Sequence, residues 1–165
     1  MSFEVDERVV HPKHGVGRVV KLESKQVGPG SERLYYRVAL SKGTIWVPVE
    51  GSPGGLRKLT AKGDLGQYRR LLRSRPTPLS SNHRQRQLEL LERMKQSSFR
   101  ARCEVVRDLS ALSWHKPLGE SVAALLRAAH GVLDEEWAAA EGLSVHEATR
   151  EVEALLQEGK QTYME

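Results

Sequence analysis

The sequence predicts an α+β chain. A small, strongly bent antiparallel sheet or half-open barrel over residues 1–60 precedes a compact, all-helical module over residues 61–165. Three observations predict this. Short runs of β-branched and aromatic residues, separated by Gly and Pro, fill the first part of the chain. From Asp64 onward the apolar residues recur at helical spacing instead. Between the two lies "GSPGG" (Gly51–Gly55), whose Gly and Pro content ends a sheet.

The first strand is "ERVVH" (Glu7–His11) and the second "GVGRVVKLESKQV" (Gly15–Val27). "GPGS" (Gly28–Ser31) is turn chemistry, because Gly admits positive φ and Pro fixes φ near the turn value. "ERLYYRVAL" (Glu32–Leu40) is rich in strand formers, "SKG" (Ser41–Gly43) is a tight hairpin connection, and "TIWVPVE" (Thr44–Glu50) is a shorter strand halted by Pro48. In the second part, Leu65, Tyr68, Leu71 and Leu72 share one helical face before "RPTP" (Arg75–Pro78) makes a stiff link. A second helix starts near Ser80–Asn82, with Leu88, Leu91 and Met94 as its apolar face and Leu90 alongside. Val105, Val106, Leu109 and Leu112 mark a third. A fourth runs from about Leu118 towards Trp137. The fifth begins with a capping box, Ser144 to Glu147, and turns Val152, Leu155 and Leu156 to the core.

Charge is more informative by segment than in total. Residues 1–60 carry ten Lys/Arg against six Asp/Glu, net +4; residues 61–100 carry ten against three, net +7; residues 101–165 carry six against twelve, net −6. A basic middle beside an acidic tail is the footprint expected of a nucleic-acid contact, or of a solvated helix face. No run approaches the roughly eighteen apolar residues of a membrane-spanning helix. "MSFEVDERVV" is acidic where a secretory leader is basic, and the lone Cys103, read as a small buried apolar residue, suits a reducing compartment. A cytoplasmic location is expected.

The stretch "VVHPKHGVGRVVKLES" (Val9–Ser24) holds His11, His14 and a Gly15-Val16-Gly17 triplet. Zinc needs three or four ligands, and these histidines supply two; Cys103 and the other four histidines show no ligand spacing. A dinucleotide fingerprint needs a third Gly and a helix next, but a strand follows Gly17. A Gly-Lys-Ser/Thr phosphate loop is absent, and no Ser–His–Asp order or carboxylate pair stands out. The stretch reads as a turn between strands, and no metal, no cofactor and no catalytic residue is expected.

These residues carry a resemblance. "VVHPKHGVGRVVKLES", "YYRVAL", "WVPVE" and "GLRKL" resemble the N-terminal RNA-polymerase-interacting module of the CarD/CdnL family, a module also found in transcription-repair coupling factors. The likeness continues through "RPTPL", "CEVVRDLSAL" and "LGESVAALLRAAHGVLDEEWAAAEGLSVHEA", nearly the whole chain. It implies a bacterial, monomeric, non-enzymatic transcription regulator. A Tudor-like sheet would dock on the polymerase β subunit by strand pairing at an exposed edge. The helices would lie on promoter DNA near the upstream edge of the opening bubble and stabilise the open complex. The alternative is an adaptor that holds another protein to polymerase and does not bind DNA. Without a phosphate loop, the ATP-driven motor of a coupling factor is not expected.

Position by position, the resemblance implies a polymerase-binding set of Lys25, Trp46, Val47 and Pro48. Trp46 has two readings, a partner-surface anchor or a packed core residue. The implied DNA-binding set is His83, Arg84, Arg86 and Arg93. The family places a wedge Trp at the start of this helix, and His83 stands there instead. It is either a reduced wedge, or a helix-start residue with Asn82 as the cap.

Overall fold

The computed structural model describes residues 3–49, 55–96 and 98–164. It divides into two units, one ending at Leu59 and the other beginning at Thr60. "GSPGG" lies, apart from Gly55, outside the described residues.

In the first unit, β1 (Arg8–His11), β2 (Gly15–Gly28), β3 (Ser31–Leu40), β4 (Gly43–Pro48) and β5 (Arg57–Lys58) form one antiparallel sheet in the order β4-β3-β2-β1-β5. The sheet is bent and not closed into a barrel. Val9, Val19, Tyr36, Val38 and Val47 form its core. Register shifts at Val19/Lys21 and Gln26/Gly28 place β-bulges in the long second strand, which the alternation pattern did not foretell. The Gly28–Ser31 turn takes its left-handed residue at Gly30, φ 71°.

The β1–β2 turn explains the two histidines. The Nδ1 atom of His11 accepts the backbone N–H groups of Lys13 (3.1 Å) and His14 (3.2 Å). The imidazole thus closes the turn, and it must keep Nδ1 unprotonated to do so.

The second unit opens with a single 3₁₀ turn and then α1 (Leu65–Arg73), α2 (His83–Met94), α3 (Phe99–Leu112), α4 (Glu120–Glu141) and α5 (Val145–Tyr163). Its core gathers Leu65 and Leu72 of α1, Leu90 of α2, Phe99, Cys103, Val106 and Leu109 of α3, and Leu133 and Trp137 of α4. Phe99 lies edge-on to Tyr68, with ring centroids 4.8 Å apart. The Ser144–Glu147 capping box forms as read, each residue accepting the other's backbone N–H at 3.1 Å. Cys103 is buried, and burial pushes its thiol pKa up, so it behaves as a small hydrophobe.

The sequence reading of α2 is corrected here. Leu90 is its fully buried residue and Met94 packs beside it, whereas Leu88 (57% exposed) and Leu91 (48%) face solvent. A long-range tie accompanies this rotation. Asp108 on α3, itself buried, accepts the Arg93 guanidinium at 2.8 Å, the neighbouring Arg107 Nε–H at 2.9 Å and the Thr77 N–H at 2.9 Å. Arg107 reaches back to the hydroxyls of Ser74 (2.9 Å) and Thr77 (3.3 Å). One carboxylate therefore fastens the Arg75–Pro78 link and α2 to α3.

Much of the segmental charge is spent the same way. Arg69 on α1 donates to Glu141 of α4 and, at 2.8 Å, to Glu151 of α5. Lys62 and Arg73 pair with Glu141 and Glu158. The acidic tail is in good part the counter-charge of the basic middle.

Two histidines give the units opposite pH responses. Burial first, then the charges of His14 and Lys13, hold the His11 pKa below its ordinary value of 6.5. The stability it contributes is full above that value and is lost as pH falls through the folded pKa. On α4, a hydrogen bond to Asp134 (2.6 Å), which also accepts the Thr149 hydroxyl (2.8 Å), raises His130 above 6.5. Its contribution is full below 6.5 and is lost as pH rises through the folded pKa. Imidazole NMR titration of the whole chain should place the two midpoints on opposite sides of about 6.5. A His11 midpoint above that value, or a His130 midpoint below it, would overturn the corresponding assignment.

Candidate functional site

β4 is an edge strand, paired to β3 on one side and to nothing on the other among the described residues. Strand alternation turns Ile45 and Val47 inward and Trp46 outward. Trp46 is 40% exposed and sits opposite Arg37. The Lys25 ammonium lies 3.8 Å from the centre of its ring, and the indole N–H donates to Glu23 at 2.9 Å. Arg37 also pairs with Glu23. The indole hydrogen bond, followed by Arg37, Lys21 and Lys25, holds the Glu23 carboxyl below the usual range despite the opposing effect of desolvation. The result is an aromatic plate fixed in place on a basic outer face. Of the two readings of Trp46, core packing is excluded. Of the implied set, Lys25 and Trp46 come together. Pro48 ends the strand, half-buried, while the Val47 side chain is 3% exposed and belongs to the core. Val47 therefore offers a partner no side chain, and its backbone pairs with Tyr36 of β3.

The second group of residues starts α2. Asn82 is the cap, its side chain accepting the Gln85 N–H at 2.9 Å, so the cap half of the second reading of His83 holds. His83 is the exposed first residue of the helix, and the Arg86 guanidinium rests against its Nδ1 at 3.2 Å and against the Ser80 carbonyl at 3.4 Å. Arg84 is exposed and has no ion pair among the described residues. Arg93 departs from the set, because its guanidinium is held by buried Asp108. A cleft of about 230 Å³ separates His83 and Arg86 from the α3–α4 turn, where it meets Lys116, Pro117 and Leu118. Lys116 is therefore a further cation beside the helix start, missed because it lies more than thirty residues away in sequence.

Residues 3–60 match the family described as CarD-like/TRCF RID domain, and residues 68–153 match that described as CarD, C-terminal domain. The chain belongs to the CarD family. CarD-family domains make it a transcription-related, RNA-polymerase-interacting regulator, in a family that is not catalytic. The Trp46 cluster falls within the first matched domain, and the α2 start and Lys116 fall within the second. Among the described residues, no helix is long and apolar enough to cross a membrane.

The Arg107–Asp108 pair is the structural feature that sequence reasoning passed over. A signal existed. Two adjacent opposite charges, Arg107 and Asp108, follow Val105 and Val106 in "CEVVRDLSAL", on a largely apolar helix, and charges so placed are buried only when paired.

Proposed function

We propose that this CarD-family chain docks on the β subunit of RNA polymerase by adding its β4 edge to a strand of the partner, with the Trp46 indole as anchor. We further propose that the start of α2 contacts promoter DNA near the upstream edge of the bubble, where it stabilises the open complex. The observation that carries the reading is the Trp46 cluster, an exposed indole held by Lys25 and Glu23 on an unpaired edge strand. An unpaired edge supplies backbone affinity, and a fixed aromatic supplies a contact of low entropic cost. Exposed Arg84 and half-buried Arg86 support the DNA half, with His83 beside them, since guanidinium groups at one helix end suit phosphates. Leu88 and Leu91, exposed on the same helix, favour the adaptor as second reading, because an apolar stripe suits a protein partner.

Trp46→Ala should weaken binding to purified polymerase by about 1–3 kcal/mol in calorimetry, with the amide NMR spectrum of the sheet otherwise retained. Wild-type affinity in a folded variant would remove Trp46 from the docking surface.

A further inference from the structure

A cleft of about 490 Å³ in the helical unit lies between the Arg75–Leu79 link, the end of α3 and the end of α5. Its apolar walls are Pro76 and Pro78 from the link, Leu112 and Trp114 from the end of α3, and Tyr163 from α5. Among the described residues, no other ring and no cation is stacked on Trp114. Tyr163 differs, as the Arg75 guanidinium lies 4.8 Å from its ring centre.

Two permanent cations, Arg75 and Lys116, stand on the cleft. Arg75, His115 and Lys116 contribute to the lining. Among the described residues that line it, the only carboxylate is Asp108, which is occupied by Arg93, Arg107 and the Thr77 N–H. An apolar cleft with an open indole and, among the described residues, no carboxylate paired to Arg75 or Lys116 suits a ligand that is planar, apolar on its faces and anionic at its edge. An unpaired nucleotide has that chemistry, since the base stacks on the ring and its phosphates meet the cations. An apolar peptide would leave the cations without partners. The cleft is also continuous with the nucleic-acid surface proposed above. Leu112 and Lys116 line both it and the smaller cleft against His83 and Arg86.

We propose that this cleft takes an unpaired base of single-stranded DNA, stacked on Trp114, with Arg75 and Lys116 on the flanking phosphates. The inference rests on the DNA-contacting reading of α2 and adds to it a preference for unpaired over paired DNA, located at the α3–α4 turn rather than at the start of α2.

The test uses ¹⁵N-labelled whole chain at low salt, titrated separately with a short oligothymidylate, a hairpin duplex of equal length and thymidine monophosphate. The expected result is that the Trp114 indole N–H resonance shifts and saturates with the oligothymidylate but not with the hairpin, while the amides of Arg84 and Arg86 respond to both. Trp114→Leu should weaken oligothymidylate binding by about 5- to 100-fold and leave hairpin binding within about twofold. Lys116→Gln, at an exposed position with little risk to folding, should flatten the salt dependence for the single strand. A Trp114 resonance that stays in place while α2 responds overturns this inference alone. Saturation by the monophosphate as tightly as by the oligonucleotide also overturns it, by making a free nucleotide the occupant. If neither DNA moves any resonance, both this inference and the DNA half of the proposed function fall. If Arg84→Gln with Arg86→Gln leaves hairpin binding intact while Trp114 still selects the single strand, the α2 reading fails and the cleft stands.

Discussion

Replacing Asp108 with alanine is expected to destabilise the helical unit by about 3–5 kcal/mol, the usual result of removing one partner from a buried ion pair. The carboxylate is fully enclosed and serves three donors, the Arg93 and Arg107 guanidinium groups and the Thr77 N–H. Its loss leaves Arg107 buried with only the Ser74 and Thr77 hydroxyls as partners described for it, and leaves the Thr77 amide without this acceptor. The Arg75–Pro78 link and α2 then lose a common fastening. Asp108→Asn should fall between, because the amide keeps one acceptor but turns an N–H₂ group towards a cation. Arg93→Met should cost less than either, since Arg93 is partly exposed and its aliphatic stem can be replaced. Urea unfolding followed by amide resonances of the helical unit measures all three. An Asp108→Ala midpoint equal to that of the parent would show that the network does not hold the unit together.

Gly17→Val is expected to cost the sheet unit about 1–3 kcal/mol, through overpacking rather than backbone strain. Gly17 pairs with Val9 on one side and Leu40 on the other. A Cβ built there would come within 2.6 Å of Val38 Cγ1, 2.9 Å of Leu40 Cδ2 and 3.0 Å of the Ala39 carbonyl oxygen. The two side chains can rotate away, but the carbonyl belongs to the β3 backbone and can move only by disturbing the ladder. Gly17→Ala meets the same carbonyl with less bulk and should cost less. The decisive reading is per unit: resonances of β1–β4 should melt at lower urea, with those of α3 and α4 unchanged. Equal stability of parent and Gly17→Val in the sheet resonances would refute the packing argument.

The elements that could be read from the sequence are those whose causes are local. Gly30 in its turn, Asn82 at the start of α2 and the Ser144–Glu147 box each act within a few residues, so their geometry follows from residue type and spacing. The candidate sites were only partly legible. Strand alternation could place Trp46 opposite Ile45 and Val47, but it could not say which face met the core. That was decided by the packing of Val9, Val19, Tyr36 and Val38 against Val47.

The sequence by itself determined the sheet-then-helices order, the turn chemistry, the caps and the family. Tertiary structure alone decided how α2 is rotated and which cations are free. Leu88 with Leu91 and Leu90 with Met94 are two helical stripes of equal apolar content, so periodicity could not choose between them. The Arg93–Asp108 contact, made across fifteen residues, accompanies the burial of the second stripe. Likewise, net charge by segment counts Arg69 and Arg93 with Arg84, although the first two are neutralised by acids 15 to 82 residues away. Coulomb pairing depends on distance in space, and spatial distance between remote segments is what a linear pattern does not contain.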